Sequence, residues 1–241
     1  MSLPNRIHAW DTETIGINVK EDSPVGNGTI ICAQCFVGPD IDFGNGPRLF
    51  IDNYADAKEI IQVFKGYFEN TGYLKVWHNY GFDRHILYNH GIDVKGFGGD
   101  TMHMARLADP SRMRYSLKHL TWKLNGPIEN VKGAIINHLI DSYTTQMEAC
   151  RDSDLERELA GKLETVKKYQ KNFSRIQKID IASTFGFYKR LANGNMGKIL
   201  MMPDIELMHC SKEYVGNWIE YSCFDAEILY FLRETLVLQL E

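Results

Sequence analysis

The order of the periodic segments most restricts how this chain can fold. Four short apolar runs of strand character come early and are separated by stretches rich in Gly, Pro, Asp and Asn, at residues 7–10, 29–37, 48–51 and 73–77. Helical spacing covers much of the remaining sequence, at residues 55–68, 81–89, 100–107, 116–124 and 212–238. This order predicts a helix-flanked sheet in an α/β or α+β domain.

The composition is typical of a globular protein. Of the 241 residues, 44% are hydrophobic and 24% are charged. No apolar run approaches the roughly 20 residues that a membrane helix requires, so we predict no membrane span. The net charge of −4 is unusual for a protein that grips duplex DNA through many phosphates. We expect a single domain over residues 1–241, with a charged helical insertion on the surface at residues 133–178.

The last predicted helix carries an acid on its apolar stripe. The stripe repeats at intervals of four and three residues and consists of Tyr214, Trp218, Tyr221, Asp225, Ile228 and Leu232. Tyr221 and Asp225 are one turn apart, so their side chains lie next to each other. A carboxylate on a buried face is costly unless it is paired, hydrogen-bonded or bound to a metal. Asp225 therefore needs a partner, and no basic residue stands at helical spacing around it.

Two further acidic signals follow predicted strands. Asp11 and Glu13 are two residues apart at the end of the first strand, so both project from one face and would repel each other without a cation. The alternative is a strand that runs out into a polar turn. Asn79 and Asp83 stand at the start of a predicted helix, where Asn79 can act as a cap and Asp83 as a first-turn acid favoured by the helix dipole.

Taken together and in this order, three short motifs resemble those of the DEDD exonuclease superfamily in its tyrosine variant, DEDDy: Asp11-x-Glu13, Asn79-x-x-x-Asp83 and Tyr221-x-x-x-Asp225. The chain is similar to the proofreading domain of bacterial DNA polymerase I and to ribonuclease D. Residues 100–107, 115–120 and 185–202 extend the likeness, which is greatest to the exonuclease domains of plant and protist organellar family A DNA polymerases. The resemblance covers about residues 7–132 and 180–235.

This resemblance implies a ribonuclease H-like fold, with a mixed five-stranded sheet flanked by helices. It implies a 3′–5′ exonuclease that hydrolyses the terminal phosphodiester of DNA, releases nucleoside monophosphates and proofreads for an organellar polymerase. Two divalent ions, Mg²⁺ or Mn²⁺, would be bound by four carboxylates, those of Asp11, Glu13, Asp83 and Asp225. Tyr221 would orient the attacking water, and the alternative for this residue is core packing with its hydroxyl satisfied locally.

The resemblance also implies substrate contacts and partners. Thr14 and Ile17 would border the terminal nucleotide, although Ile17 can equally serve as plain packing, and Asn79 would hydrogen-bond the strand. The expected partners are the 3′ end of single-stranded DNA and a polymerase domain in a longer parent protein, of which this chain would be a fragment. Such a protein would work in a mitochondrion or an apicoplast-like plastid.

Two other functions remain open from the sequence: an RNA-trimming exonuclease similar to ribonuclease D, and a degenerate exonuclease fold kept as a binding module. Asp100 is interpreted as a helix cap, and Cys32 and Cys35 as core residues. The cations around the glycine turn at residues 194–198 belong either to a solvated loop or to a phosphate contact.

Overall fold

Five strands form one mixed sheet in the order β3–β2–β1–β4–β5. This computed structural model describes residues 6–172, 181–191 and 194–241. The strands are β1 (Ile7–Ile15), β2 (Thr29–Phe36), β3 (Arg48–Asp52), β4 (Leu74–Trp77) and β5 (Phe97–Asp100). The first three are antiparallel neighbours, whereas β4 pairs parallel to β1 and β5 parallel to β4. The mixed, helix-flanked, five-stranded sheet predicted from the sequence is confirmed.

Nine α-helices lie in the described residues, together with two 3₁₀ turns and a separate two-stranded ribbon. The helices are α1 (Lys65–Phe68), α2 (Tyr80–Asn89), α3 (Thr101–Ala108), α4 (Leu117–Lys123), α5 (Asn125–Ala149), α6 (Ser153–Asn172), α7 (Ile181–Phe185), α8 (Ile205–Cys210) and α9 (Val215–Leu240). The ribbon pairs β6 (Phe187–Arg190) with β7 (Met196–Met201). None of the helices in these ranges is long and apolar enough to cross a membrane.

The central strand β1 has a different helix on each face. Because side chains alternate along a strand, Trp10 packs with Ile86 of α2 on one face. Ala9 packs with Leu229 of α9 on the other face. The same alternation turns Asp11, two residues beyond Ala9, towards α9. The helix that carries Asp225 therefore covers the face from which the β1 acids project.

The predicted helix at residues 55–68 is wrong for most of its length. The chain forms two 3₁₀ turns there (Ala55–Ala57 and Ile60–Phe64) and reaches an α-helix only at Lys65. Ala55 and Glu59 have positive φ angles of 50° and 72°, which a right-handed helix does not accommodate. Apolar spacing alone cannot reveal such backbone breaks.

The family resemblance implied five strands, but the sequence prediction located only four of them and missed β5. Its residues, Phe97–Asp100, include two glycines and no β-branched side chain, so they lack strand propensity. The backbone just before it approaches the Tyr73 carbonyl so closely that a Cβ on Gly96 would lie 2.2 Å from that oxygen. Only glycine fits there, and this close approach keeps β5 beside β4.

The predicted surface insertion forms a pair of contacting helices, α5 and α6. The first begins at Asn125, earlier than the predicted residue 133, because Gly126 and Pro127 fall in its first turn, where proline is tolerated. Charges at 151–158 are exposed as predicted, but one face of the pair is buried in the core that includes α9. Residues 1–5 and the end of the predicted insertion, 173–178, lie outside the described residues.

Candidate metal-dependent active site

Three carboxylates from distant parts of the sequence meet between β1 and α9. Asp11, Glu13 and Asp225 each place a carboxylate oxygen within 4.8 Å of the others. The first two come from alternate positions of β1, and the third comes from the helix that packs across β1 and β2. The structure thus brings together three of the four acids predicted as metal ligands.

The electrostatics of this cluster call for a cation. Burial and the neighbouring acids raise the pKa of Asp11 well above its usual range. Burial, followed by the charges of Asp225 and Asp83, raises the pKa of Glu13 to about 8, and burial raises that of Asp225 to about 7. Like charges this close cannot all ionise near neutral pH without compensation. An all-oxygen donor set of this kind fits a hard divalent ion such as Mg²⁺ or Mn²⁺.

The fourth predicted ligand, Asp83, lies beside the cluster on α2. Its carboxylate Oδ1 accepts a hydrogen bond of 2.7 Å from Thr12 Oγ1, and its side chain is buried. Burial raises the pKa of Asp83 to about 7, and its charge in turn raises the pKas of Asp11 and Glu13. Asp83 is therefore electrostatically part of the site, although it is not among the three carboxylates that meet within 4.8 Å.

Sequence reasoning missed Thr12. It lies between the two β1 acids and points to the opposite face, towards α2, where it orients Asp83. A threonine between two acids carries no distinctive signal, because its partner is 71 residues away in the chain.

Tyr221 is one turn before Asp225 on α9, so the two side chains are neighbours, and burial raises the pKa of that carboxylate while the phenol lowers it. Its ring lies 5.9 Å from the ring of Trp218. Burial, followed by the charge of Asp225, raises the pKa of Tyr221 above its usual range. The side chain is thus a neutral phenol at neutral pH, with its hydroxyl directed at the acidic cluster.

Asn79 precedes α2 in the left-handed conformation, with a φ of 68°, and its side chain makes no capping hydrogen bond. Asp100 does the capping instead. Its carboxylate accepts from the backbone N–H groups of Asn79, Tyr80 and Met102 at 2.9–3.0 Å, so it serves the starts of both α2 and α3. The cap predicted for Asp100 is confirmed, and the Asn79 amide is not needed for capping.

Thr14 and Ile17 lie at and just beyond the end of β1. Thr14 follows a bulge in the β1–β2 pairing that separates it from Glu13. Ile17 packs against the apolar cluster around Trp10, and a Cβ on Gly28 would lie 3.2 Å from its Cγ2 atom. The packing role that the sequence left open for Ile17 is present, and its contact with a nucleotide stays a prediction.

Gln34 is a buried polar residue that the sequence did not single out. It pairs directly with Asp11 across the β1–β2 ladder, so both side chains share the face covered by α9. It is 0% exposed, and its amide has no regular hydrogen bond to a described residue, although it acts on the pKa of the Cys32 thiol two residues before it on the same strand. The sequence signal that could have pointed to it is the single amide side chain inside the otherwise apolar strand sequence Ile-Ile-Cys-Ala-Gln-Cys-Phe.

Cys32 and Cys35 are both buried, as predicted, and they belong to two different apolar clusters. They therefore pack separately and do not converge on one site.

Comparisons with known proteins agree with this geometry. A family model described as a 3′-5′ exonuclease matches residues 7–165, and so it also covers part of the stretch between the two segments, 7–132 and 180–235, in which the sequence showed the resemblance. DNA polymerase I A, chloroplastic/mitochondrial, of Arabidopsis thaliana is 35% identical over 239 residues, and DNA polymerase I B, chloroplastic/mitochondrial, of the same plant is 34% identical over 242 residues. Each alignment covers 98% of this chain.

A third relative, DNA polymerase I B, mitochondrial, of Oryza sativa subsp. japonica, is 36% identical over 78% of the chain. The chain spans only 19–20% of the length of these curated relatives. Among solved structures, the POL domain of Pol1 from M. smegmatis, in complex with DNA primer-template and dNTP, aligns with 99% of this chain and 46% of that chain. Its TM-score is 0.39 at 11% identity, which is too low to support an argument.

Proposed function

Because the chain belongs to the 3′–5′ exonuclease family of DNA polymerase A, we propose that it removes nucleotides one at a time from the 3′ end of DNA with the help of two divalent ions. The observation that carries this proposal is the meeting of Asp11, Glu13 and Asp225 within 4.8 Å of one another. These three acids and Asp83 would hold Mg²⁺ or Mn²⁺. When bound, the ions supply charge stabilisation at the reacting phosphate and activate water.

The reaction is a hydrolysis. The oxygen of a water molecule forms a bond to the terminal phosphorus, the bond between that phosphorus and the 3′ oxygen of the preceding nucleotide breaks, and this oxygen takes up a proton. The products are a nucleoside 5′-monophosphate and a strand shortened by one nucleotide. Tyr221, a neutral phenol next to Asp225, would hold the water in line for attack.

Three further residues would position the strand. Thr14 and Ile17, at the end of β1, would border the terminal nucleotide. Asn79 would hydrogen-bond the strand, since its side chain does not cap α2. Its left-handed backbone places it at the start of the same helix that carries Asp83.

By likeness to the plant polymerases, this domain would proofread within a longer protein that also carries a polymerase domain, in a mitochondrion or a plastid. A binding module without activity would have no reason to keep Asp11, Glu13, Asp225 and Tyr221 together, since clustered acids are costly without a cation.

The test is release of mononucleotides from 3′-labelled single-stranded DNA in the presence of Mg²⁺ or Mn²⁺. Asp225→Asn is expected to lower the rate at least about 100-fold, because charge stabilisation by a metal contributes several kcal/mol. Glu220→Gln is the matched control, since Glu220 stands on the same helix with its side chain 61% exposed. Equal rates for wild type and Asp225→Asn would refute the assignment, and faster release from RNA of the same sequence would favour RNA trimming.

A further inference from the structure

The ribbon formed by β6 and β7 exposes an unusual amount of apolar surface. It is a two-stranded sheet of its own, in the antiparallel register Phe187↔Met201 and Tyr188↔Leu200. An isolated two-stranded hairpin is marginal in water. Eight large apolar side chains between residues 187 and 202 are nevertheless exposed: Phe187, Tyr188, Leu191, Met196, Ile199, Leu200, Met201 and Met202. Singly exposed apolar residues need no explanation, but a contiguous set of them marks a binding surface.

The charges on the ribbon point to an anionic partner. Its sequence contains Lys189, Arg190 and Lys198 and no acid from Gly186 to Pro203, although the whole chain has a net charge of −4. All three cations are on exposed residues. Tyr188 pairs directly with Leu200 across the ribbon, so an aromatic and an aliphatic side chain share one face. Lys198 is two residues before Leu200 on β7, where the register with β6 shifts, and it places an exposed cation close to this pair along the strand.

The ribbon begins next to the aromatic residues that lie beside the acidic site. Phe185, immediately before it, is buried against Trp218, with the ring centres 6.3 Å apart. Trp218 is in turn the neighbour of Tyr221. Between Phe185 and the ribbon, Gly186 allows a close turn, since a Cβ there would lie 2.3 Å from the carbonyl oxygen of Ala182. The ribbon is therefore continuous with the cluster that contains the proposed water-orienting phenol.

We infer that the ribbon binds single-stranded DNA upstream of the 3′ end held by the acids, with Tyr188 stacking on a base and Lys198 contacting the backbone. This inference rests on the proposed function, because it names the surface that holds the rest of the same strand. Stacking on aromatic side chains combined with cations along the backbone is how single strands are bound without sequence preference. Apolar side chains also insert between bases. A purely apolar protein partner would leave the three cations without counter-charges.

The first test is binding of a 5′-labelled oligodeoxynucleotide of about 12 nucleotides, followed by fluorescence anisotropy in EDTA so that no hydrolysis occurs. Tyr188→Ala is expected to raise Kd at least about fivefold, whereas Tyr188→Phe, which keeps the ring, should bind like wild type. Lys198→Glu should make the negative slope of log K against log salt shallower by about 0.7, because the protein no longer neutralises one phosphate. Lys167→Glu, the same charge reversal at an exposed position of α6, should leave both quantities unchanged.

A second substrate separates this inference from the proposed function. Hydrolysis of a DNA dinucleotide with Mn²⁺ needs only the acidic site, so its rate should be the same in wild type and Tyr188→Ala. If wild type fails to cleave the dinucleotide and the long strand, the proposed function is wrong, and the binding experiment still decides on the ribbon. An unchanged Kd for both Tyr188→Ala and Lys198→Glu would overturn the ribbon inference. A loss of self-association in these variants, seen by sedimentation, with unchanged DNA binding, would assign the ribbon to a second copy of the chain and overturn it as well.

Discussion

Glu227 is the centre of a buried ion-pair network, and its removal should strongly destabilise the fold. Its carboxylate accepts hydrogen bonds from Arg48 Nε at 2.7 Å and Lys132 Nζ at 2.9 Å, and a third from the Tyr169 hydroxyl. The side chains of Glu227 and Lys132 are each 3% exposed, and that of Arg48 is 13% exposed. The network joins α9 to β3, α5 and α6, so one carboxylate compensates two cations from separate elements.

Glu227→Gln keeps the shape of the side chain and removes its charge, which takes the buried counter-charge away from Lys132 and leaves Arg48 with the exposed carboxylate of Glu220. Removal of one partner of a buried pair costs about 3–5 kcal/mol. We expect a loss of that size in the free energy of unfolding, measured by urea titration with tryptophan fluorescence. Glu220→Gln is the control, because Glu220 binds the same Arg48 at 2.8 Å with its side chain 61% exposed. That exposed pair should contribute less than about 1 kcal/mol.

The pH dependence gives the same prediction an independent check. Burial opposes ionisation of Glu227, but the charges of Arg48 and Lys132 hold its pKa below the usual 4.5. Its contribution is therefore present above that unfolded value and is lost as pH falls through the folded value. Wild type and Glu227→Gln should converge in stability as the pH falls from 4.5 through the lowered pKa of folded Glu227. A difference under about 1 kcal/mol at pH 7, or one that persists unchanged at low pH, would refute the assignment of this network.

Three other predictions concern the acidic site. The pKas of Glu13 and Asp225 are raised to about 8 and about 7, so stability that is present at low pH is lost as the pH rises through these values. In scanning fluorimetry the metal-free protein should therefore have a lower melting temperature at pH 8 than at pH 5, and Mn²⁺ should raise that temperature more at pH 8. An equal rise at both pH values would contradict this. Thr12→Val removes the donor that orients Asp83 and should weaken Mn²⁺ binding by about 10-fold in calorimetry; unchanged affinity would show that Thr12 does not position it. Gln34→Leu removes a buried amide that has no regular hydrogen bond to a described residue and should raise the metal-free unfolding free energy by about 1 kcal/mol in urea, whereas a loss would show that the amide is engaged.

The sequence allowed acidic residues to be placed correctly where the periodicity of a strand or a helix shows which way their side chains point. Asp11 and Glu13 could be placed on one face because a strand alternates, and Asp225 could be predicted as buried because a helix repeats every 3.6 residues. Neither inference depends on which element packs against the sheet. That the three acids come together in one site was predicted only from the family resemblance, which rests on the order of the three motifs.

The remaining features depend on contacts that the sequence does not encode locally. The hydrogen bond from Thr12 to Asp83 and the pairing of Gln34 with Asp11 join residues that meet only after the sheet has its register. The strand β5 is held by close approach of backbone at a glycine, not by its side chains. The ribbon could not be recognised, because its exposed apolar residues resemble an ordinary buried strand until their exposure is known.

Two acids of α9, the half-buried Asp225 and the buried Glu227, differ in what surrounds them. Asp225 and Glu227 are two residues apart and therefore point about 200° apart around the helix. Both are desolvated, yet the pKa of Asp225 is raised and that of Glu227 is lowered. Burial raises both pKas, so the difference comes from the partners: Asp225 faces other acids, and Glu227 faces two cations. The ion-paired side of α9 holds the helix on the sheet and thereby keeps Asp225 next to Asp11 and Glu13. Under the proposed function, Glu227→Gln should therefore weaken Mn²⁺ binding in calorimetry, although it changes none of the proposed ligands.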